Sequence, residues 1–252
     1  VIGLGNENIT STEDLTVAAA SIFEGLTEGT VTAVTISSDA DALAYIASYE
    51  DLLNSFNYAN TYVTRELKVN AAIQHYNDYG NREKRALNVF DSWDYIASHE
   101  DLIRVYGIDI TSATDHYIEF GFKEGRSADT FDEWSYLASH TDLIEAYGLD
   151  LEGVVQHYVV HGFNEGRSTD TFDELTYLAS NTDLIEAYGL DLEGVVQHYV
   201  AFGYLENRNI NSFDASKYIS QFSDIKAAYG SDLRGATEHY IVYGYNEGRV
   251  IS

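Results

Sequence analysis

The chain has 252 residues, 45% of them hydrophobic and 13% aromatic, so it is long and apolar enough to bury a substantial core. Its formal net charge of -27, from 41 acidic and 14 basic side chains, excludes the basic surface that nucleic acids and anionic lipids require. It has no cysteine for a disulfide or thiolate metal site, and no apolar run approaches the roughly 20 residues that span a bilayer. We therefore expect a folded, acidic protein with no nucleic-acid partner and no direct membrane insertion.

A chain this acidic repels itself, so we expect salt or cations to stabilise its compact state. The sequence contains no methionine, including at position 1, and no signal peptide is visible. These features predict a processed form or a fragment of a longer protein, and they fit secretion into a saline or calcium-rich medium.

Residues 1–38 precede the repeats and do not share their pattern. A capping-box pattern at Ser11 predicts a helix that continues through Phe23. The stretch 30–36 alternates and is rich in β-branched residues, which predicts a β-strand. Because a lone strand must pair with another segment, we expect this stretch to act in assembly. The candidate assembly residues are Val31, Val34 and Ile36.

A 41-residue unit then recurs five times and fills most of the chain. One histidine recurs at this spacing, each copy followed by tyrosine, and an arginine lies ten residues after each histidine. The histidines are His75, His116, His157, His198 and His239, and the arginines are Arg85, Arg126, Arg167, Arg208 and Arg249. A fixed period of this length is typical of stacked repeats, in which each unit buries its apolar face on its neighbours. The predicted repeats are 39–89, 90–130, 131–171, 172–212 and 213–252.

The third repeat shows the expected local structure most clearly. Asp132 reads as the N-cap of a short first helix, and a second short helix is expected to end at Gly148 in a left-handed conformation. Asp150 reads as the N-cap of a third helix that ends at Gly162. A glycine-bearing turn up to Arg167 closes the unit. Helices this short are marginal alone, so packing on neighbours must stabilise them.

The sequence therefore predicts an all-α, solenoid-like array of five repeats of three short helices, after a small N-terminal segment with a helix and a strand. Repeat one departs from the pattern, with Ala40 in place of the opening Phe, Lys84 in place of a glycine, and nine extra residues between Leu53 and His75. Terminal repeats are expected to be atypical, so we interpret repeat one as a cap or a junction.

The repeated histidine and arginine invite a binding-site interpretation, but a structural one is favoured. Successive copies should lie on successive layers, roughly 10 Å apart, which is too far for two histidines to share one ion. We expect the histidine to form a hydrogen bond between layers. We expect the arginine to join layers as well, by binding the acidic residue two positions before it, the aspartate of the second helix or a C-terminal helix carbonyl. The alternative is an arginine row that binds a sugar acid or a phosphate.

Catalytic and metal motifs give little support to an enzyme. Nothing resembles a nucleophile elbow, a phosphate-binding glycine loop or a paired-carboxylate cleft, so we expect no catalytic residues and no cofactor. No calcium loop of a known pattern is present, although the acidic composition keeps calcium as an option. The candidate calcium ligands are Asp39, Asp41, Asp150, Glu152, Asp191 and Glu193.

Tyrosine is abundant, with 21 copies, and many of them recur at apolar positions of the repeat. We expect most of these rings to pack in the core, because a tyrosine ring buries a large apolar area. Exposed aromatic rows that stack on sugars are the alternative.

The string F-D-x-x-x-Y-[IL]-A-S-x-x-D-L, closed by H-Y-x-x-x-G-[FY]-x-E-G-R, resembles repeats of large secreted bacterial and cyanobacterial proteins. Those repeats often occur beside calcium-binding RTX sections, adhesin modules or surface-layer regions. The resemblance covers about residues 40–249, and the stretch 31–43 is similar to the edge of repetitive adhesin domains. It implies a secreted, cell-surface location more than an activity.

We therefore predict an extracellular, non-enzymatic structural or adhesive protein that self-assembles into a fibre or surface array through its end faces and N-terminal segment. One alternative is a glycan-binding module with inter-repeat grooves lined by tyrosine and arginine. A second alternative is an accessory domain of a larger secreted enzyme.

Overall fold

The computed structural model describes residues 35–58 and 64–251. All regular structure in these residues is helical and none of it is strand, so the prediction of an all-α array of short helices is confirmed. The predicted N-terminal helix, Val31 and Val34 lie outside the described residues. Ile36 is half-buried in irregular backbone just before Ser38, which caps the first described helix.

In the described residues each repeat has three α-helices, the third of which continues directly into a π-helical turn, and repeat three has a fourth short helix after that turn. Repeat one has Asp39–Ala47, Glu50–Tyr58, Arg65–His75 and the π-turn Tyr76–Gly80. Repeat two has Ser92–Ala97, Glu100–Tyr106, Ile110–His116 and Tyr117–Gly121. Repeat three has Glu133–Ser139, Thr141–Tyr147, Leu151–His157, Tyr158–Gly162 and the short helix Phe163–Glu165. Repeat four has Glu174–Ser180, Thr182–Tyr188, Leu192–His198 and Tyr199–Gly203, and repeat five has Ala215–Gln221, Ser223–Tyr229, Leu233–His239 and Tyr240–Gly244.

Aspartate caps explain where the third helices begin. The Oδ1 atom of Asp150 accepts a hydrogen bond from the Gly153 N–H at 3.0 Å, which confirms the predicted cap. The second helix ends at Gly148, whose φ of 58° is open to glycine but strained for other residues. Its ψ of -115° differs from the left-handed helical conformation that we predicted.

The prediction that Gly162 ends the third helix is wrong. Gly162 has a right-handed φ of -56°, and the chain turns only at Gly166, where φ is 70°. Lys84 and Asn207 occupy the same left-handed position in repeats one and four, with φ of 56° and 55°. A π-turn inserts an extra residue into the helical path, and apolar periodicity alone carries no signal for it.

The described residues form two compact units. The first comprises residues 35–58, 64–133 and 150–169, and the second comprises residues 134–149 and 170–251. In the first unit, the first helix of repeat one packs on the third helix of repeat two, and that of repeat two packs on the third helix of repeat three. In the second unit, the first helix of repeat four packs on the third helix of repeat five. Repeats one, two and four therefore use the first helix to contact the repeat that follows.

A serine at the end of the first helix joins neighbouring repeats through the backbone. The Ser98 Oγ accepts hydrogen bonds from the N–H groups of Thr130 and Phe131, at 2.7 and 3.1 Å. Equivalent bonds join Ser48 to Phe90 and Ser180 to Phe213, both at 2.9 Å, and Ser139 to Thr171 at 2.7 Å. The serine of the Ala-Ser pair thus holds the opening turn of the next repeat.

A second link between repeats uses the aromatic residue that follows the π-turn glycine. The Arg104 guanidinium lies 4.7 Å from the centre of the Phe163 ring, which belongs to the next repeat. In the second unit, the Tyr245 hydroxyl donates to Glu186 at 2.8 Å, and the Tyr204 hydroxyl donates to Glu145. Arginine thus faces phenylalanine, and glutamate faces tyrosine. We call these contacts the inter-repeat pairs.

Candidate functional site

The repeated histidine is bonded to a buried tyrosine of the first helix in its own repeat. The Tyr95 hydroxyl lies 2.9 Å from the His116 Nδ1 atom, and Tyr177 lies 3.1 Å from His198. The same bond measures 3.0 Å for Tyr45 and His75 and 2.9 Å for Tyr218 and His239. We expected this histidine to bond between layers, and these bonds lie within one repeat instead. The third helix folds back on the first, which brings the two side chains together.

Burial keeps both side chains of this hydrogen bond uncharged. Burial raises the pKa of Tyr45 to about 12, so the hydroxyl keeps its proton at neutral pH. Burial lowers the pKa of His116, and the nearby Arg126 charge lowers it further, so the imidazole is neutral. A neutral imidazole whose Nδ1 atom accepts from tyrosine carries its own proton on Nε2.

The π-turn glycine makes space for the tyrosine hydroxyl. A Cβ atom at Gly121 would overlap the Tyr95 hydroxyl and touch the Tyr117 ring at 3.2 Å. Gly80, Gly203 and Gly244 stand in the same relation to Tyr45, Tyr177 and Tyr218. Tyrosine, histidine and glycine therefore form one structural cluster, which we call the Tyr–His–Gly cluster. The sequence shows the period of each residue but does not show that the three meet.

Two further aromatic rings flank the histidine. The Tyr106 and Phe120 ring centres lie 5.7 and 5.9 Å from the His116 ring. Tyr229 and Tyr243 flank His239 in the same way, each at 5.5 Å. The ring four residues after the histidine is exposed in most repeats, by 54% at Phe120, and is half-buried at Phe202. The equivalent residues are Tyr79, His161, Phe202 and Tyr243. Our sequence reasoning missed this position, although its constant four-residue distance from the histidine could have revealed it.

The closing arginine clamps the end of its repeat onto the second helix. The Nη atoms of Arg126 donate to both carboxylate oxygens of Asp101, at 3.0 and 2.8 Å, and its Nε atom donates to Glu124 at 2.8 Å. Arg85 and Arg249 make the same contacts, with Asp51 and Glu83 and with Asp224 and Glu247. Arg208 binds Asp183 and Glu206, and Arg167 binds Glu165 at 2.7 Å. The clamp lies within a repeat, whereas we expected it to join layers.

The clamp changes what the arginine can bind. Its hydrogen bonds lower the pKa of Asp101, and those of Arg249 lower the pKa of Asp224 to about 2, so both aspartates stay ionised. Two carboxylates neutralise the charge of this guanidinium and occupy most of its N–H donors, so it attracts an external anion only weakly. The structure therefore does not favour the alternative in which this row binds a sugar acid or a phosphate.

The candidate calcium ligands lie at the starts of separate helices. Asp41 accepts hydrogen bonds from the Ser37 backbone and hydroxyl, at 3.2 and 2.7 Å. Asp150 and Asp191 each accept from a backbone N–H three residues on, and Glu152 and Glu193 each accept from a glutamine side chain. Asp39 lies in the first turn of the helix that Ser38 caps. No group of three or more acidic or histidine side chains in residues 35–58 and 64–251 could hold a metal ion.

An acidic strip surrounds the start of the first helices in the first unit. Asp94 is surrounded by Asp91, Asp129, Glu133 and Glu152, and burial together with their charges raises its pKa to about 7. The second unit has a groove of about 750 Å³ between repeats four and five. The acidic residues that line this groove are Asp170, Asp173, Glu174 and Asp214. Both regions attract cations without a formed coordination site.

None of the helices in the described part of the chain is both long and apolar enough to cross a membrane. Comparison of the chain with protein-family models, with curated proteins and with solved structures finds no match.

Proposed function

We propose that this chain is a structural and adhesive repeat module of an extracellular protein, with no enzymatic activity of its own. The observation that carries the proposal is the use of the repeated polar residues. Tyrosine, histidine, arginine, aspartate and serine bond to one another or to the backbone within the array. Side chains used in this way stabilise a surface instead of performing chemistry.

The location is part of the same proposal. The resemblance to repeats of secreted bacterial proteins supports an extracellular setting, as does the charge of -27. A strongly acidic surface keeps such a module soluble and resists nonspecific binding to other acidic polymers.

Adhesion is measured by coating fluorescent beads with the chain and following their retention on bacterial cells and on immobilised polysaccharides under flow. We expect saturable retention that soluble chain competes away. The control beads carry the chain after thermal unfolding. Equal retention of native and unfolded chain, or no retention on any surface, would contradict the adhesive function.

The exposed rings beside the histidines favour glycan binding as a second candidate function. Phe120 and Tyr243 are 54% and 57% exposed, and each lies against a histidine ring. The flat face of an exposed aromatic ring suits the apolar C–H face of a sugar. Because the arginines are clamped and the chain is acidic, we propose neutral or amino sugars as ligands and not uronic or sulfated sugars.

A glycan array that includes neutral, amino and anionic polysaccharides tests this candidate. The variant Phe120→Ala/Tyr243→Ala is expected to lose at least tenfold in affinity, by analogy with the stacking of a nucleic-acid base on one aromatic ring, which contributes about 1–3 kcal/mol. Val105→Ala/Leu205→Ala removes exposed apolar side chains elsewhere and serves as the matched control. Tightest binding to anionic glycans, or equal loss in both variants, would exclude the ring row.

A further inference from the structure

Each internal repeat has a forward face that meets the next repeat. The first and second helices form it, and three of its positions carry apolar residues; all are buried except Trp93 and Trp134, which are half-buried at the first position of repeats two and three. In repeat four these are Leu175, Ala179 and Ile185, which are 3%, 4% and 6% exposed. In repeat one the same positions are Leu43, Ala47 and Leu53, also buried. Burial at these positions is what the packing of the first helix on the following repeat requires.

Repeat five has polar residues at all three forward positions. Ser216, Ser220 and Lys226 replace the apolar residues, and all three are exposed. The serine that joins neighbouring repeats is also replaced, by Gln221, whose side chain bonds to the Val250 carbonyl at 2.8 Å within its own repeat. The inter-repeat pair loses its partner as well, because Ala227 stands where repeat four has Glu186. Repeat five is therefore unsuited to carry a further repeat.

Repeat one shows the matching change on its rear face, which the third helix and π-turn form. At one π-turn position the later repeats bury an apolar residue: Ile118, Val159, Val200 and Ile241. Repeat one has Asn77 at this position, and Asn77 is exposed. The ring of the inter-repeat pair is also replaced, by the exposed Asn81. Two positions of the rear contact are thus polar, whereas the third helix keeps the half-buried Ile73 at the position of the buried Val155.

We propose that repeats one and five are capping repeats with polar outer faces, so that neither a further repeat nor the end face of a second copy docks on either of them. Covering Lys226 or Asn77 with an apolar face would bury a charge or an amide without a partner, which is costly. The proposal revises our expectation of assembly through the end faces. It leaves other routes of association open and does not depend on the adhesive function.

Converting the polar end positions to the internal residues tests the proposal. The variant Asn77→Ile/Ser216→Leu/Ser220→Ala/Lys226→Ile should form linear oligomers whose length grows with concentration, measured by sedimentation velocity and seen by electron microscopy. The native chain should keep one mass across the same concentrations or associate without forming end-to-end stacks. Lys123→Leu/Asn164→Ile, which places apolar residues at exposed positions away from both faces, is the matched control and should not elongate.

The opposite variant keeps the test valid if the apolar variant fails to fold. Ser216→Glu/Ser220→Glu adds charge to the forward face of repeat five and should leave the association of the native chain unchanged. Native chains that stack end to end, with growth that this variant abolishes, would overturn the proposal. An apolar variant that folds, as judged by its helical circular dichroism, and stays a single particle would overturn it as well.

Discussion

At the residue scale, one glycine in each repeat determines whether a tyrosine hydroxyl can be buried. The Tyr177 hydroxyl occupies the space that a Cβ atom at Gly203 would fill, and it reaches the His198 Nδ1 atom at 3.1 Å. Burying a hydroxyl without a partner costs free energy, so the histidine is needed where the tyrosine is used. The three residue types recur together because glycine leaves room for the tyrosine hydroxyl and histidine gives that buried hydroxyl a hydrogen-bond partner.

The substitution Gly203→Ala is expected to destabilise the protein by about 1–3 kcal/mol, because the new methyl group overlaps the Tyr177 hydroxyl. Tyr177→Phe should cost about 0.5–1.5 kcal/mol through the lost hydrogen bond. In the Phe background Gly203→Ala should cost less, since the nearest ring carbon lies at 3.2 Å from the added atom. Urea unfolding of all four proteins measures this coupling. The cycle of Gly203→Ala with Tyr95→Phe, the equivalent hydroxyl loss in repeat two, is the control and should be additive; additivity in both cycles would refute the cluster.

At the element scale, the starts of the first helices carry more acidic side chains than N-capping alone requires. Asp94 lies half-buried near four other carboxyl groups, and its pKa of about 7 exceeds the ordinary 3.8. A carboxyl with a raised pKa in the folded state stabilises the fold only while it is protonated. Its unfavourable effect begins as the pH rises above about 4 and is complete above about 7.

Asp94→Asn should therefore stabilise the protein at pH 8 and have little effect at pH 4. We expect a gain of roughly 1 kcal/mol, because solvent screens a half-exposed group and reduces the full linkage energy. Thermal unfolding across this pH range measures the difference between the variant and the native chain. Asp78→Asn, at an exposed position of the first π-turn, is the control and should shift the curve equally at both pH values.

The inter-repeat pairs also belong to this scale, since each joins a second helix to the turn of the following repeat. Arg104 faces Phe163, whereas Glu186 faces Tyr245. Glutamate needs a hydrogen-bond donor, and arginine binds a bare aromatic face. The chemistry of one residue is thus matched to that of its partner.

Glu186→Arg and Tyr245→Phe should each lower the melting temperature, because each leaves a mismatched pair. The double variant rebuilds the arginine–phenylalanine pair, so it should melt roughly 1–2 °C above the value that additivity predicts. Differential scanning calorimetry provides the measurement. The control is Glu186→Gln/Tyr245→Phe, which lacks the positive charge of arginine. If its melting temperature exceeds additivity by the same amount, the cation–π contact is not the cause.

At the scale of the whole molecule, a charge of -27 must be held on a stack of short helices. Repulsion among the acidic side chains destabilises the compact state. Salt weakens this repulsion, because it shortens the Debye length from about 30 Å at 0.01 M to about 8 Å at 0.15 M. The arginine clamps are partly shielded from salt, because the arginine side chains are only about one-fifth to one-quarter exposed.

The melting temperature should therefore rise by several degrees between low and physiological salt, with the loss of self-repulsion outweighing weaker ion pairs. Calcium and magnesium chloride at equal ionic strength should give equal shifts, because diffuse screening depends on ionic charge and concentration. A larger shift with calcium would instead indicate a specific site, and isothermal titration calorimetry would then give the number of calcium ions bound per chain.

The sequence by itself determined the helical class, the 41-residue period and several caps, such as Asp150. Apolar spacing and capping residues act over one or two helical turns, so their effect can be read locally. It also marked the histidine and arginine as structural, and it named Glu124 and Asp101 correctly as the classes of partner for Arg126.

Only the tertiary structure decided where those contacts lie. A period gives the distance between copies along the chain but not the direction in which a side chain points. The return of the third helix onto the first places the His116 contact inside its repeat, and it also creates the tight space at Gly121. The sequence shows that Ser216 and Asn77 are polar, but it does not show that these positions lie on the contact faces between repeats. The burial of the equivalent residues in the other repeats identifies those faces. Burial depends on what packs against a residue, and that is a property of the folded stack.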